Sequence, residues 1–289
     1  MPLPICYLNG QYQPLAEARV SPLDRAFLFG DAAYEVVPVY GSRPFRLRQH
    51  LERLDRSLAA MRIASPLSHA DWAQLCQELI SRNSGKDAHL YMQVTRGAEF
   101  GRNHAWPEGL TPTVFAYLSA SEPMSPELSE RGVAAVTAPD TRWARRDIKS
   151  TSLLANVLLK KLAADAGAFE TIMLENGTLT EGSSTTVHVI KDNVIRTPPN
   201  GHHILPGTTR TVVEELADGV GLRSESGPVT EAELRTADEI WLAFATRGVL
   251  PVTTLDGAKV GTGRPGASFK RMSAAFSDYL RKLGDTRAL

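Results

Sequence analysis

The order of apolar and polar positions divides the chain into two stretches of mixed elements. Ala33 to Tyr40 (AYEVVPVY) reads as a strand, and Gly41-Ser42 turns the chain. The period then changes. Leu47, Leu51, Leu54, Leu58 and Met61 fall on one stripe, which predicts an amphipathic helix. A second helix is expected from about Asp71, with Trp72, Leu75, Cys76, Leu79 and Ile80 facing inward and Ser68 and Asp71 at capping-box spacing. Strands follow at Leu90 to Thr95 and Thr113 to Leu118. Ser119 to Glu130 (SASEPMSPELSE) is polar, carries two prolines and has the composition of a linker. Beyond it, strands are expected near Val133 to Thr137, Glu170 to Leu174, Thr186 to Ile190 and Glu239 to Phe244, with helices near Leu153 to Asp165 and Thr209 to Ala217. A last helix carries Phe269, Met272, Phe276, Tyr279, Leu280 and Leu283 on one side. The expected division is a small N-terminal domain (1–120), a linker (121–129) and a large C-terminal domain (130–289) that carries Lys149. Mixed elements fit α+β or α/β, and the pattern alone does not choose.

Composition changes this picture little. A chain of 289 residues is long enough for two cores. Apolar content of 43% and charged content of 22% describe a soluble globular protein. Lysine plus arginine equal aspartate plus glutamate at 32 each, so no global field recruits nucleic acid or a membrane surface. The two cysteines, Cys6 and Cys76, form no Cys-x-x-Cys pair and suggest neither zinc nor a disulfide framework. The N-terminus lacks a basic segment followed by an apolar core, and no apolar run has the length of a membrane span. The expectation is a cytoplasmic protein in a reducing compartment.

Candidate chemistry is scattered. Lys149 lies in RRDIKSTSLL. Taken alone, a lysine is solvated surface far more often than it is catalytic. Arg145 and Arg146 precede it, and nearby cations or an apolar pocket lower an amine pKa, so that the neutral amine can form an imine with an aldehyde. Glu181, in GTLTEGSSTTVHVI, follows a turn, where a glutamate is usually solvated. Gly182 allows close approach, and Ser183, Ser184, Thr185 and Thr186 offer four hydroxyls. Such a carboxylate can hold a pyridine nitrogen protonated, with the hydroxyls on the ring substituents. The bland alternative is a polar edge strand. Thr208 and Thr209 follow Gly207 at a helix start, which suits an anion, although on the residues alone a plain threonine N-cap is the favoured reading. Arg53 flanks its helix stripe, where most arginines snorkel and a few grip phosphate. Arg102 and His104 sit two apart in a loop beside Trp106, suited to a carboxylate or simply exposed. Tyr34 reads as a core residue with its hydroxyl at the rim. His202-His203 lacks the spacing of a metal pair and an acidic partner, and reads as a loop.

Taken together and in this order, SPLDRAFLFGDAAYEVVPVY, HLERLDRSLAAMRI, LYMQVTRG, RNHAWP, DTRWARRDIKSTSLLANVL, TEGSSTTVHVIK and ILPGTTR resemble the fold-type IV pyridoxal-phosphate enzymes, and within them the D-amino acid (D-alanine) aminotransferases. The resemblance spans about residue 20 to residue 215. It implies a two-domain α+β fold with a barrel-like β core in the C-terminal domain and the cofactor between domains. It implies pyridoxal 5′-phosphate held by Lys149 as a Schiff base, with Glu181 on the pyridine nitrogen. Arg53, Thr208 and Thr209 resemble the phosphate cup, and Ser184, Thr185, Leu205 and Thr246 complete the cofactor set. Tyr34, Arg102, His104 and Arg247 become the substrate set, with Arg102 and His104 as a carboxylate trap contributed by the neighbouring subunit of a homodimer. The implied reaction moves an amino group from a D-amino acid to a 2-oxo acid such as 2-oxoglutarate or pyruvate, with no metal.

Three departures stand out. Ala32 replaces a family glycine, and one extra residue lies between Arg96-Gly97 and Arg102. In FATRGVLPV, Phe244 and Arg247 replace small hydroxylated residues and a glutamate, which points to an altered substrate pocket. The same elements also fit a branched-chain aminotransferase, an aminodeoxychorismate lyase or an (R)-selective amine transaminase. A catalytically silent binder is the rival from outside enzymology, and the intact lysine and glutamate elements argue against it.

Overall fold

The computed structural model describes residues 1–121 and 125–285, and these form two units: Met1–Glu122 with Ile148–Leu153, and Pro123–Asp147 with Leu154–Leu289. Of the expected linker, residues 122–124 lie outside the described residues, and a short helix at Pro126–Arg131 occupies most of the rest.

The first unit contains β1 (Pro2–Leu8), β2 (Gln11–Pro14), α1 (Arg25–Phe29), β3 (Ala32–Tyr40), β4 (Arg43–Pro44), α2 (Leu47–Ala60), α3 (His69–Arg82), β5 (Ala88–Thr95) and β6 (Val114–Ala120). Its strands form one antiparallel sheet in the order β2-β1-β6-β5-β3-β4. The period-two pattern of β3 buries Ala33, Glu35, Val37 and Val39 on one side. Leu51, Leu54 and Leu58 of α2 and Trp72, Leu75 and Leu79 of α3 close the core over that face. The capping box is formed: Asp71 N donates to Ser68 Oγ at 3.2 Å, and Ser68 N donates to Asp71 Oδ2 at 3.1 Å. Such a cap stabilises the helix start by ~1 kcal/mol. β1, β2 and β4 are short or weakly patterned and were not expected from periodicity.

The second unit runs α4 (Pro126–Arg131), β7 (Val133–Pro139), α5 (Leu154–Asp165), β8 (Glu170–Glu175), β9 (Thr178–Gly182), β10 (Thr186–Lys191), β11 (Val194–Thr197), α6 (Thr208–Leu216), β12 (Arg223–Ser226), α7 (Glu231–Arg235), β13 (Glu239–Phe244), β14 (Gly248–Leu255), β15 (Ala258–Lys259) and α8 (Ala267–Asp285). Nine strands form a mixed sheet that curls as an open half-barrel, in the order β12-β11-β10-β13-β14-β7-β8-β9 with β15 on β14. Pairing is parallel at β11/β12, β14/β7 and β7/β8. Val187, Val189, Ile240, Leu242, Leu250 and Val252 supply the centre of its core. The fold is thus α+β.

Lys149 lies midway along the chain, after the start of the second unit, yet belongs to the first unit. The reason is backbone pairing with the start of β3. Tyr34 N donates to Lys149 O at 3.0 Å, Thr151 N donates to Ala32 O at 2.9 Å, and Ala33 and Ser150 form an antiparallel bridge. Ala32 itself is buried with no positive φ, so a side chain is tolerated there.

Candidate active site

In the first unit, Lys149 is fixed at both ends of its backbone. Its N–H donates to Ser57 Oγ at 3.1 Å, its carbonyl takes the β3 bond, and Nζ lies 4.1 Å from the centre of the Tyr34 ring. Ser57 shares a face of α2 with His50 and Arg53, at spacings of three and four residues. Arg53 donates from Nε to Glu35 Oε1 and from Nη2 to Glu35 Oε2, both at 2.7 Å, and His50 Nδ1 lies 2.7 Å from Glu35 Oε2. Burial alone would raise the Glu35 carboxyl. The Arg53 charge and hydrogen bonds, joined by His50, outweigh it and hold that group well below the usual carboxylate range. Burial lowers the His50 pKa, with Arg53 and Lys149 adding to the effect and Glu35 opposing it. His50 Nε2 is buried without a hydrogen-bond partner among the described residues. The sequence reading did not single out Glu35 or His50.

Tyr34, on the other face of β3, stacks on Tyr91 at 5.6 Å. Arg102 and His104 are exposed in the loop after β5, and both lie against Phe29: the Arg102 guanidinium is 4.9 Å from the ring centre and the His104 ring 5.4 Å.

In the second unit, Glu181 sits at the end of β9 and is buried. Arg142 Nη1 donates to its Oε1 at 2.5 Å, and Leu205 N lies 3.2 Å from each carboxylate oxygen. Leu205 therefore reaches this site through its backbone N–H. Arg142 is shared, since its Nη2 and Nε donate to Asp140 at 2.7 and 3.0 Å. Burial pushes the Glu181 carboxyl above its ordinary range; Arg142 and the Leu205 N–H pull against that, and Asp140 adds to the rise. Arg142 was the missed partner. Its signal was an arginine two residues from Asp140 in DTRWARRD. Arg145 and Arg146, expected to influence Lys149, are instead paired with Asp147 and Glu175.

The four hydroxyls divide. Ser183 and Ser184 donate to the buried Glu170 carboxylate, Ser184 at 3.0 Å, because that group needs donors inside the core. Thr185 Oγ1 is buried without a partner among the described residues. The start of α6 is capped by Gly207 with no side-chain hydrogen bond, so the plain threonine N-cap does not apply. A Cβ at Gly207 would come within 2.6 Å of Thr186 Oγ1, so this approach requires glycine. Thr208 is half-buried and Thr209 buried in the first turn. Thr246 and Arg247 occupy the β13–β14 turn, Arg247 exposed. Phe244 is half-buried at the end of β13. It packs on Phe169 at 6.1 Å, against the second core. His203 Nδ1 lies 3.2 Å from Glu175.

The sequence profile of amino-transferase class IV matches residues 32–255. The chain belongs to this family. The class IV aminotransferase is 41% identical over 272 residues to D-alanine aminotransferase of Bacillus licheniformis, covering 94% of this chain and 95% of that one. It is 36% identical over 275 residues to D-alanine aminotransferase of Staphylococcus aureus (strain MW2), covering 95% and 97%. Among solved structures, branched-chain amino acid aminotransferase of Escherichia coli superposes with a TM-score of 0.89 at 26% identity, covering 96% and 95%. The cofactor of this aminotransferase is pyridoxal phosphate. The second unit suits such a group. It has a helix start with no side-chain cap bond for phosphate, a threonine hydroxyl without a partner among the described residues, and a buried carboxylate whose arginine is shared with Asp140.

Proposed function

We propose that this aminotransferase moves the amino group of a D-amino acid, D-alanine-like, to a 2-oxo acid such as 2-oxoglutarate or pyruvate. Lys149 carries the cofactor. Glu181 serves the ring nitrogen. Thr208, Thr209 and Thr246 serve the phosphate, as does Arg53, which Glu35 holds in place. Thr185 contributes its hydroxyl, while Ser184 keeps Glu170 satisfied. Bound pyridoxal phosphate supplies the electron sink that lets an amino-acid α-proton leave. The Lys149 amine takes that proton from Cα and delivers it on the same face. Tyr34 borders the amine, and Arg102 and His104 clamp the substrate carboxylate, with Arg247 a second anion contact. Fixing the carboxylate decides which face of Cα meets Lys149, so Arg102 and His104 set the stereochemistry.

The observation that carries D-specificity is the loop in which Arg102 and His104 converge on Phe29. We place it in the neighbouring subunit's site of a cytoplasmic homodimer. Supporting the dimer, Leu154, Val157, Leu158 and Leu162 form an exposed apolar stripe on α5. No helix among the described residues is long and apolar enough to cross a membrane. The test is a half-reaction absorbance scan over paired D- and L-amino acids. Cofactor absorbance lost with D-alanine and regained with pyruvate is expected. The likeness to the Escherichia coli enzyme favours branched-chain transamination as the second reading. Turnover of L-leucine without D-alanine would establish it in place of the first.

A further inference from the structure

We infer that Arg25 is a positioning residue for substrate, acting by building the loop that presents Arg102 and His104. The inference rests on the reading above that those two side chains hold the substrate carboxylate. Arg25 opens α1, a helix of five residues, and its side chain is only 4% exposed. Its guanidinium reaches across to the loop after β5. Nη1 donates to the Glu99 carboxylate and to Asn103 O, the latter at 2.6 Å, and Nη2 donates to His104 O at 3.1 Å. Nε donates to Asp31 Oδ2 at 3.0 Å. Its backbone N–H donates to Gly97 O at 2.9 Å, at the start of the same loop.

Capping the carbonyls of residues 103 and 104 sets the peptide planes beside Arg102 and His104, and so the directions in which those side chains leave the loop. The same group shapes their landing place. The Arg25 guanidinium lies 4.6 Å from the centre of the Phe29 ring, the ring that Arg102 and His104 also use. Asp31 ties this arrangement to a second arginine. Arg96 donates to Asp31 from Nε at 2.7 Å and from Nη2 at 3.0 Å, and its guanidinium lies 3.9 Å from the Trp106 ring centre. The loop is thus held at its base, its middle and its far end. A lysine cannot replace Arg25, because a point charge cannot serve two carboxylates and two carbonyls in one plane.

The test is a double-mutant cycle on the holoenzyme, with KM for D-alanine, the inhibition constant of propionate, kcat and cofactor absorbance as readouts. Arg102→Ala and Arg25→Ala should each raise KM and the propionate constant about ten-fold or more, with cofactor retained and kcat changed much less. The double variant should be no worse than the poorer single one, because Arg25 acts through Arg102 and its neighbour. Glu99→Gln, a milder change, should shift KM in the same direction by a smaller factor, and it carries the test if Arg25→Ala does not fold. If Arg102→Ala raises KM while Arg25→Ala or Glu99→Gln leaves it unchanged, or if the effects simply multiply, the inference is overturned and the carboxylate reading stands. If Arg102→Ala leaves KM unchanged, the carboxylate reading itself falls, and the inference with it.

Discussion

Glu35 in the first unit and Glu181 in the second are both buried and both bonded to an arginine, yet their electrostatics run in opposite directions. Glu35 receives two bonds from Arg53 and a third from His50, and its carboxyl is held far below the ordinary range. Glu181 receives one bond from Arg142, which also serves Asp140, and a 3.2 Å approach from one backbone N–H, and its carboxyl is raised. The difference is one of compensation. The Glu35 charge is neutralised by its own unit and acts as a brace for α2 against β3. The Glu181 charge is left short of a cation, the state expected of a group that works by accepting a further positive donor such as a protonated ring nitrogen. The two buried carboxylates thus differ in how many donors each receives and in the direction burial and its partners leave each pKa.

The largest effect should come from Lys149, to which the proposed function gives the cofactor and the proton shuttle. Lys149→Ala should lower transamination by ~10⁴-fold or more, measured as pyruvate-dependent turnover, because the proton shuttle is lost. Retained turnover would remove the basis for treating Glu181 as a cofactor partner.

The direct comparison comes next. Glu35→Gln should destabilise the protein by ~3–5 kcal/mol in urea unfolding, because it removes the carboxylate charge from a buried pair with two bonds to Arg53. Glu181→Gln should change the stability of the cofactor-free protein by at most ~1 kcal/mol while lowering kcat ~10²-fold. Equal stability losses for the two variants would erase the distinction drawn above.

A third buried group sharpens the comparison by pH. Burial, with the Arg210 charge, lowers His188 to about 3, below its ordinary value of about 6.5. Its Nδ1 lies 2.7 Å from Thr197 Oγ1, and Nε2 is buried without a partner among the described residues. Below about pH 6.5 the unfolded chain takes up a proton that the folded chain refuses until about pH 3, so stability falls as pH drops through that window. His188→Phe should flatten this decline by up to ~3 kcal/mol at pH 4, read from urea midpoints between pH 7 and pH 4. An unchanged slope would assign the acid sensitivity to the carboxylates. The smallest effect is expected from Thr185→Val. With its hydroxyl unpartnered, the cofactor-free protein should change by less than ~0.5 kcal/mol, while cofactor affinity drops several-fold in equilibrium dialysis. A large loss of stability without cofactor would show that the hydroxyl serves the fold.

Much of this was legible in advance. The stripe on α2, the capping box of α3 and the β13 boundaries follow from periodicity and local hydrogen bonding, which depend on near neighbours. The short strands β11, β12 and β15 did not, since they draw their stability from pairing with neighbouring strands rather than from their own pattern. Among the site residues, Lys149, Glu181 and the Gly207-Thr208-Thr209 step stood out only as an ordered set. Glu35 left a signal that went unused: a charge on the inward side of β3, in register with Ala33, Val37 and Val39. The contact of Phe244 with Phe169, remote in sequence, had no counterpart in the local pattern.

The sequence by itself determined the element periods, the capped helix and the family motifs that bring Lys149 to attention. These are encoded in residues a few positions apart, where backbone geometry is the same in any fold. Only the tertiary structure decided that Lys149 pairs with β3 and lies over Tyr34, that Arg53 is gripped by Glu35 and His50, and that Arg142 is divided between Glu181 and Asp140. Those outcomes depend on which charged groups are buried together and how their donors are shared. Desolvation and partner counting act across the fold, and no local pattern records them.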